Sequence, residues 1–339
     1  MSKRNLSVKF KDSFKDFKDL SSVFQSFKKK LDHLNKKSYT VAVSGGPDSL
    51  ALVALTKSYN YYKKTKFRYV LVDHNIRKNS SKEAKKVKDL LKKNKINLNI
   101  ILNKKKIIKN IQSQARETRY KILSNYCKKN KINNLLTAHN LEDQVETFLI
   151  RLSRGSGLKG LSSMKYLTKI DNKINLYRPL LDTKKIFLNK ISKHVFGKYF
   201  QDPSNKNSKY LRTKVRSLKK PLEKNGIEYE QIIKSIKNLA LSEDTLDGYF
   251  KKIFKNIIKE TKTEILINFK KFKELNNEEK IAVINESIKK LKRNYYNLRS
   301  KKVINLINNI EKSNFKKTTL GGCLFIIKKG DICLNIEKT

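Results

Sequence analysis

Tyr39-Thr-Val-Ala-Val43 runs directly into Ser44-Gly-Gly-Pro-Asp-Ser49, and Leu50-Ala-Leu-Val-Ala-Leu55 follows without a break. The first segment reads as a short β-branched strand and the last as a buried helix. Between them, Gly45 and Gly46 let the backbone turn sharply and bring bare N–H groups close to a ligand. A helix beginning near Asp48 turns its positive end on the same spot. The segment Ser44, Gly45, Gly46, Pro47, Asp48, Ser49 is therefore built to hold an anion. It is not a Walker A loop, because no Gly-Lys-Ser/Thr follows. An ordinary β-turn with a helix cap is the competing reading.

Outward from this loop, residues 39 to about 138 alternate strand and helix. Strands are expected at Tyr39–Val43, Tyr69–Val72, Leu98–Leu102 and Leu135–Thr137, with helices between them such as Ser81–Lys93. Such alternation implies an α/β domain with a parallel sheet wound by helices. Of four histidines, His74 and His139 each fall just past the C-terminal end of a predicted strand. Ligands of open parallel sheets bind at that edge. The loop, His74 and His139 thus converge on one crevice, although a lone histidine in such a turn is often structural.

His139, Asp143 and Glu146 are spaced i, i+4, i+7 and fall within roughly 60° of one another on a helix. A carboxylate pair beside a bound anion suits Mg²⁺ or an ammonium group, both cations that take oxygen ligands. The competing reading is a solvated acidic face. Arg116, Arg119 and Tyr120 share one helical face, and arginine makes forked phosphate contacts. Arg154-Gly-Ser-Gly-Leu-Lys-Gly160 is a glycine-rich basic loop, with Arg154 and Lys159, able to fold over a nucleotide or an RNA backbone. Asp202-Pro-Ser-Asn205 reads as a turn leading into Arg212 and Arg216.

The chain has 339 residues, enough for two domains, and Lys+Arg of 79 against Asp+Glu of 30 gives a formal charge of +49. A field of that sign attracts polyanions, and nucleic acid is the natural candidate. Part of the lysine excess also fits an AT-rich coding bias, since lysine, asparagine and isoleucine abound together. No stretch approaches the roughly 18 apolar residues of a membrane-spanning helix. Met1–Lys30 lacks the apolar core of a secretory signal, so a cytoplasmic protein without membrane partners is expected. Phe10, Phe14, Phe17, Leu20, Phe24 and Phe27 recur at helical spacing and predict an amphipathic extension over residues 1–38. The three cysteines, Cys127, Cys323 and Cys333, are too scattered for a disulfide framework or a zinc site. From about Glu228 the periodicity becomes helical and ends in an apparent hairpin within 317–339, so 39–224 and 228–339 are the expected domains.

Taken together, these segments resemble the tRNA(Ile)-lysidine synthetases among the PP-loop ATP pyrophosphatases. The resemblance is carried by Ser44–Ser49, Val72-Asp-His-Asn-Ile-Arg77, Ser113-Gln-Ala-Arg-Glu-Thr-Arg-Tyr120 and Leu136-Thr-Ala-His-Asn-Leu-Glu-Asp-Gln-Val-Glu-Thr147. Arg151-Leu-Ser-Arg-Gly-Ser-Gly-Leu-Lys-Gly160, Arg178-Pro-Leu-Leu181 and Asp202-Pro-Ser-Asn205 extend it to about residue 217. Asn75 departs from the family, which usually has Gly after the His. The resemblance implies a Rossmann-like catalytic domain and a mainly helical tRNA-binding domain. It implies that ATP adenylates the wobble cytidine of a tRNA(Ile) with a CAU anticodon, after which free L-lysine displaces AMP. Ser44 to Ser49, His74, Arg116 and His139 would hold ATP, with Asp48 and Asp143 placing Mg²⁺. Glu146 would grip the lysine ammonium; Arg212, Arg154 and Lys159 would meet lysine or tRNA. A homodimer is left open.

Other readings are a tRNA thiolase, an amidotransferase relative, or an RNA-binding protein with a decayed nucleotide site. The absence of any Cys-x-x-Cys speaks against the first, and the lack of an evident glutaminase nucleophile against the second.

Overall fold

The β-branched segments assemble into a six-stranded sheet in order β3-β2-β1-β4-β6-β5. In the computed structural model, residues 10, 14, 17–77, 79–105, 111–171, 173–201, 210–261, 263–292, 298, 300–312 and 314–337 are described. Strands β1 (Ser38–Val43), β2 (Lys66–Asp73), β3 (Leu98–Leu102), β4 (Asn134–Leu136) and β6 (Ile174–Tyr177) are parallel. Only β5 (Leu167–Ile170) runs antiparallel, at the edge beside β6. This edge pair, absent from the expected strands, is the one addition to the sheet that alternation alone did not announce.

Successive side chains along these strands enter opposite cores, as the two-residue period requires. Tyr39, Val41 and Val43 face one core with Tyr69 and Leu71. Helices α1 (Lys18–Leu34), α2 (Pro47–Tyr62), α3 (Ser80–Lys93) and α7 (Lys185–Phe196) cover that side through residues such as Phe27, Leu52, Val87 and Ile191. Val70, Leu135, Ile174 and Leu176 face the other side and pack on Leu123 and Cys127 of α4 (Ile111–Lys129). Of the phenylalanine stripe, Phe10, Phe14, Phe24 and Phe27 are buried. Phe17 is the exception, exposed and edge-on to the His194 ring.

Beyond β4, helices α6 (Leu158–Leu161) and α8 (Leu211–Ser217) pack on α5 (Leu141–Leu152), and α9 (Lys219–Lys224) packs on α8. Leu141 and Val145 of α5 pack on Tyr229, Ile232 and Ile236 at the start of α10 (Tyr229–Ile257). The Asp202-Pro-Ser-Asn205 turn lies outside the described residues.

The chain divides into two compact units, residues 1–239 and 240–339. The Asn225-Gly226 turn ends α9, and the division itself falls further on, inside α10. In the second unit a five-stranded sheet is ordered β7-β8-β11-β10-β9, from β7 (Ile258–Glu260), β8 (Ile265–Asn268), β9 (Lys317–Leu320), β10 (Cys323–Lys328) and β11 (Asp331–Ile336). The expected terminal hairpin is its centre. Lys329 and Gly330 turn it with φ of 51° and 81°, the paired left-handed residues of a type I′ connection. Between the sheet strands run α11 (Phe269–Lys273), α12 (Asn277–Leu291) and α13 (Ser300–Ile310). Val283, Ile284 and Ile288 of α12 and Val303, Ile307 and Ile310 of α13 bury against Ile267, Phe325 and Leu334. No described helix is long and apolar enough to cross a membrane.

Candidate active site

Strand order reverses beside β1: β2 lies on one side and β4 on the other, which opens a crevice at their carboxyl ends. Ser44–Ser49 leaves β1 there. Gly45 has a φ of +83°, and a Cβ on it would stand 2.5 Å from Cγ2 of Val87. Only glycine fits that approach without strain. Ser49 folds the loop on itself: its Oγ accepts from the Ser44 amide at 3.1 Å and donates to the Gly46 carbonyl at 3.0 Å. The Phe200 amide pins the Gly45 carbonyl at 3.0 Å. Gly46 is the N-cap of α2 and gives no side-chain cap, with Pro47 in the first turn. The first amides of α2 therefore remain available to an anion.

β2 delivers Asp73 and His74 to the same edge. Asp73 accepts from Ser81 Oγ at 2.5 Å and from the Asn75 amide at 3.0 Å. Asn75 has a φ of 52°, a left-handed turn that Gly adopts freely and Asn tolerates best among the rest. The substitution of Asn for the usual Gly thus preserves the turn. Both ring nitrogens of His74 are buried without a protein hydrogen bond. Burial, then the Arg119 charge, lowers its pKa to about 4, so the ring is neutral.

β4 delivers His139, whose Nδ1 lies 2.9 Å from Thr137 Oγ1. Burial, assisted by the positive charges of Arg116, Arg178 and Arg212, pushes this imidazole well below the usual histidine range, against the pull of Asp143. Asn140 then caps α5. Its Oδ1 accepts from the Asp143 amide at 2.9 Å, and Asp143 Oδ2 accepts the Asn140 amide at 3.2 Å, a reciprocal capping box. The box fixes Asp143 at the crevice, and one turn further Glu146 is 3 % exposed.

Asp48 faces these groups from α2. Burial first, then the Asp143 charge, raises its pKa to about 6, although Lys185 Nζ stands 3.9 Å away. Its Oδ1 is buried and has no hydrogen-bond partner. An all-oxygen pair of crowded carboxylates beside a phosphate loop fits Mg²⁺, which takes one or two protein carboxylates and completes its octahedron with phosphates and water. Among the described residues no group of three or more His, Cys, Asp or Glu could hold a metal by itself.

Glu146 is gripped from α8: Arg212 Nε donates to Oε2 at 2.9 Å and Arg216 Nε donates to Oε1 at 2.6 Å. Beside this pair lies a cavity of about 290 Å³ lined by Glu142, Glu146, Asn189, Arg216, Lys219 and Tyr229, among others. Asn189 Oδ1 is a buried acceptor without a partner. The cavity offers carboxylates and an amide oxygen to a cation, and lysine and arginine heads to a carboxylate.

Arg116 is exposed on α4, its guanidinium over the Tyr120 ring at 5.3 Å, and close enough to depress His139. Arg154 and Lys159 are exposed past the C-terminal end of α5. The 12 residues of that helix put them about 18 Å from its crevice end, outside the cluster. Lys185, Arg178, Glu142 and Asn189 were not assigned roles from sequence. Arg178 had a signal, the Arg-Pro-Leu-Leu segment; it is buried and donates to Lys165 O at 2.7 Å and to Thr168 Oγ1 at 2.8 Å. Lys185 had none, being one lysine among many.

A strand, a glycine turn and a helix N-terminus at the switch point of a parallel sheet define a nucleotide-binding PP-loop protein. The PP-loop domain family matches residues 19–222. The tRNA(Ile)-lysidine synthase of Wolbachia pipientis wMel is 36 % identical over 306 residues, covering 88 % of this chain and 70 % of that protein. Its counterpart from the Wolbachia of Brugia malayi is 34 % identical over 326 residues, covering 95 % of this chain and 75 % of that protein. The chain belongs to the tRNA(Ile)-lysidine synthase family of PP-loop proteins. Among solved structures, the U34-tRNA thiolase of Methanococcus maripaludis with its 4Fe-4S cluster shares the fold at a TM-score of 0.56 and 20 % identity, over 65 % of this chain and 78 % of that one.

Proposed function

We propose that this chain converts the wobble cytidine of a CAU-anticodon tRNA(Ile) to lysidine, at the expense of ATP and free L-lysine. The observation that carries the reading is the meeting of three differently suited surfaces in one crevice: a phosphate loop, a carboxylate pair, and a cavity charged at both signs. In the first half-reaction the backbone amides of Gly45, Gly46, Asp48 and Ser49 and the Arg116 guanidinium hold the triphosphate. Asp48 and Asp143 would hold Mg²⁺, which would supply charge neutralisation for the leaving pyrophosphate. His74 and His139, both neutral, serve the nucleotide as hydrogen-bonding rings rather than as cations. The cytidine C2 oxygen attacks the α-phosphorus, and the cytidine reaches it unstacked, as anticodon loops allow.

In the second half-reaction lysine occupies the 290 Å³ cavity. Glu146, Glu142 and the Asn189 oxygen receive its ammonium, while Lys219 receives its carboxylate. Arg154, Lys159 and the basic surface of residues 240–339 face the tRNA backbone. A cytoplasmic location follows from that substrate. The thiolase reading finds no support in the cysteines: Cys127 is packed with Leu123 and Leu135, and Cys323 and Cys333 lie in the core of the second unit.

Incorporation of labelled lysine into CAU-anticodon tRNA(Ile), with ATP and Mg²⁺, tests the reading. It is expected to proceed and to vanish when the wobble cytidine is replaced by uridine. ATP cleavage to AMP on adding tRNA, without lysine incorporation, would assign another nucleophile.

A further inference from the structure

Both carboxylate oxygens of Glu146 are occupied, and by cations of the protein itself. The same two guanidiniums reach past it toward Asp143, with terminal nitrogens of Arg212 and Arg216 at 3.9 and 3.8 Å from Oδ1. A carboxylate 3 % exposed requires a cation at every stage. Yet Arg216 and Glu146 line the cavity that an incoming amine must enter. Each Glu146 oxygen already accepts one guanidinium N–H, so an ammonium drawn against it meets two like charges at hydrogen-bond range, and departure of a guanidinium removes that repulsion.

We propose that Arg212 and Arg216 plug the amine pocket in the nucleotide-free enzyme and withdraw to bound triphosphate, so that ATP binding opens the pocket to lysine. This rests on the reading of the chain as a lysidine-forming ligase. Three features support it. The α8 helix has seven residues and buries one of them, Val215, so these ion pairs are a large share of what docks it. Both arginines already point along a line from Glu146 to Asp143, toward the crevice where the phosphate loop ends. Phosphate oxygens are the partner that a forked guanidinium exchanges a carboxylate for most readily. Arg212 also reaches Thr147 Oγ1 at 3.4 Å, a weak contact that does not bind it to one pose. The withdrawal leaves Glu146 as an acceptor for the ammonium just when the electrophile is being made, and the closed state keeps other amines away from it.

The consequence is a positive coupling between two ligands, and coupling is reciprocal. Lysine affinity is measured calorimetrically on the full chain, alone and with a non-hydrolysable ATP analogue and Mg²⁺. The analogue is expected to tighten lysine about tenfold or more, a usual strength for coupled sites, and lysine to tighten the analogue by the same factor. Arg216→Gln is expected to bind lysine without nucleotide and to bring the ratio close to one; Arg216→Lys is expected to restore part of it. Equal lysine affinity with and without the analogue overturns the plug while leaving the ligase reading intact. Absence of lysine binding in every state overturns both. The reciprocal measurement on the unmodified chain stands even where Arg216→Gln does not fold.

Discussion

Asp48 shows how burial sets a single carboxylate against its own charge. Its carboxyl has a pKa of about 6, against 3.8 unperturbed, because burial and Asp143 disfavour its charge more than Lys185 favours it. The folded state therefore binds this proton more tightly than the unfolded chain. The associated stability is present below about pH 4 and is lost as pH rises through about 6. At pH 7.5 the ligand-free protein carries a buried charge that Lys185, 3.9 Å away, relieves only in part. Asp48→Asn is thus expected to stabilise the ligand-free protein by about 2 to 3 kcal/mol at pH 7.5 and by nothing at pH 3.5. Urea melts at the two pH values measure this; equal shifts at both would remove the electrostatic cause. For the wild type, Mg²⁺-dependent nucleotide affinity is expected to fall about tenfold per pH unit below 6, as Asp48 takes up its proton. Gly45 makes the opposite case, a residue fixed by space. Gly45→Ala forces a Cβ into Val87 at a φ of +83°, and is expected to cost about 2 to 3 kcal/mol by thermal melting together with the nucleotide site.

At the scale of the element, α5 carries two duties in one carboxylate. Asp143 closes the capping box with Asn140 and also faces Asp48 and the two arginines. Asp143→Ala is expected to lose about 1 kcal/mol with the cap, and to abolish pyrophosphate release while tRNA binding survives. Asp143→Asn separates the duties, since its amide oxygen can still accept the Asn140 N–H. Stability should return while pyrophosphate release stays absent, and a wild-type rate in either variant would overturn the proposed metal role of Asp143. The local half of this site was legible in the sequence for the same reason that α5 can do both jobs. A turn chemistry, a helical spacing and a strand end are each written in a few consecutive residues. What sequence did not reveal is contributed from a distance. Asn189 and Lys185 enter from α7, and Arg216 pairs with a glutamate 70 residues earlier; no period records such meetings. β5 and β6 are four residues each, too short to stand out beside the long helices. β7 follows α10 without a breaking residue, so the second unit read as helices plus one hairpin rather than as a five-stranded sheet.

Over the whole molecule the dominant quantity is the formal charge of +49. Two origins are distinguishable by measurement. If the charge is a coding bias, the lysines are scattered and few of them meet phosphate at once. If it is a binding surface, complex formation with tRNA releases condensed counterions, and log affinity falls linearly with log salt at a slope set by the number of phosphates neutralised. A contact with about six phosphates lowers affinity roughly a thousandfold between 50 and 200 mM salt. That steepness is the expected result for CAU-anticodon tRNA(Ile), measured by filter binding across the range. ATP-site ligands offer a built-in control. The crevice charges are paired at short range, as Glu146 with Arg212 and Arg216 at 2.9 and 2.6 Å, and pairs within a few ångströms are screened far less than surface charge. Affinity for the non-hydrolysable nucleotide should therefore change much less over the same range. A flat response for tRNA would assign the charge to composition, and recognition to the crevice. A steep response for tRNA beside a shallow one for nucleotide would separate the molecule into a surface that gathers RNA by its phosphates and a site that selects one cytidine by its chemistry.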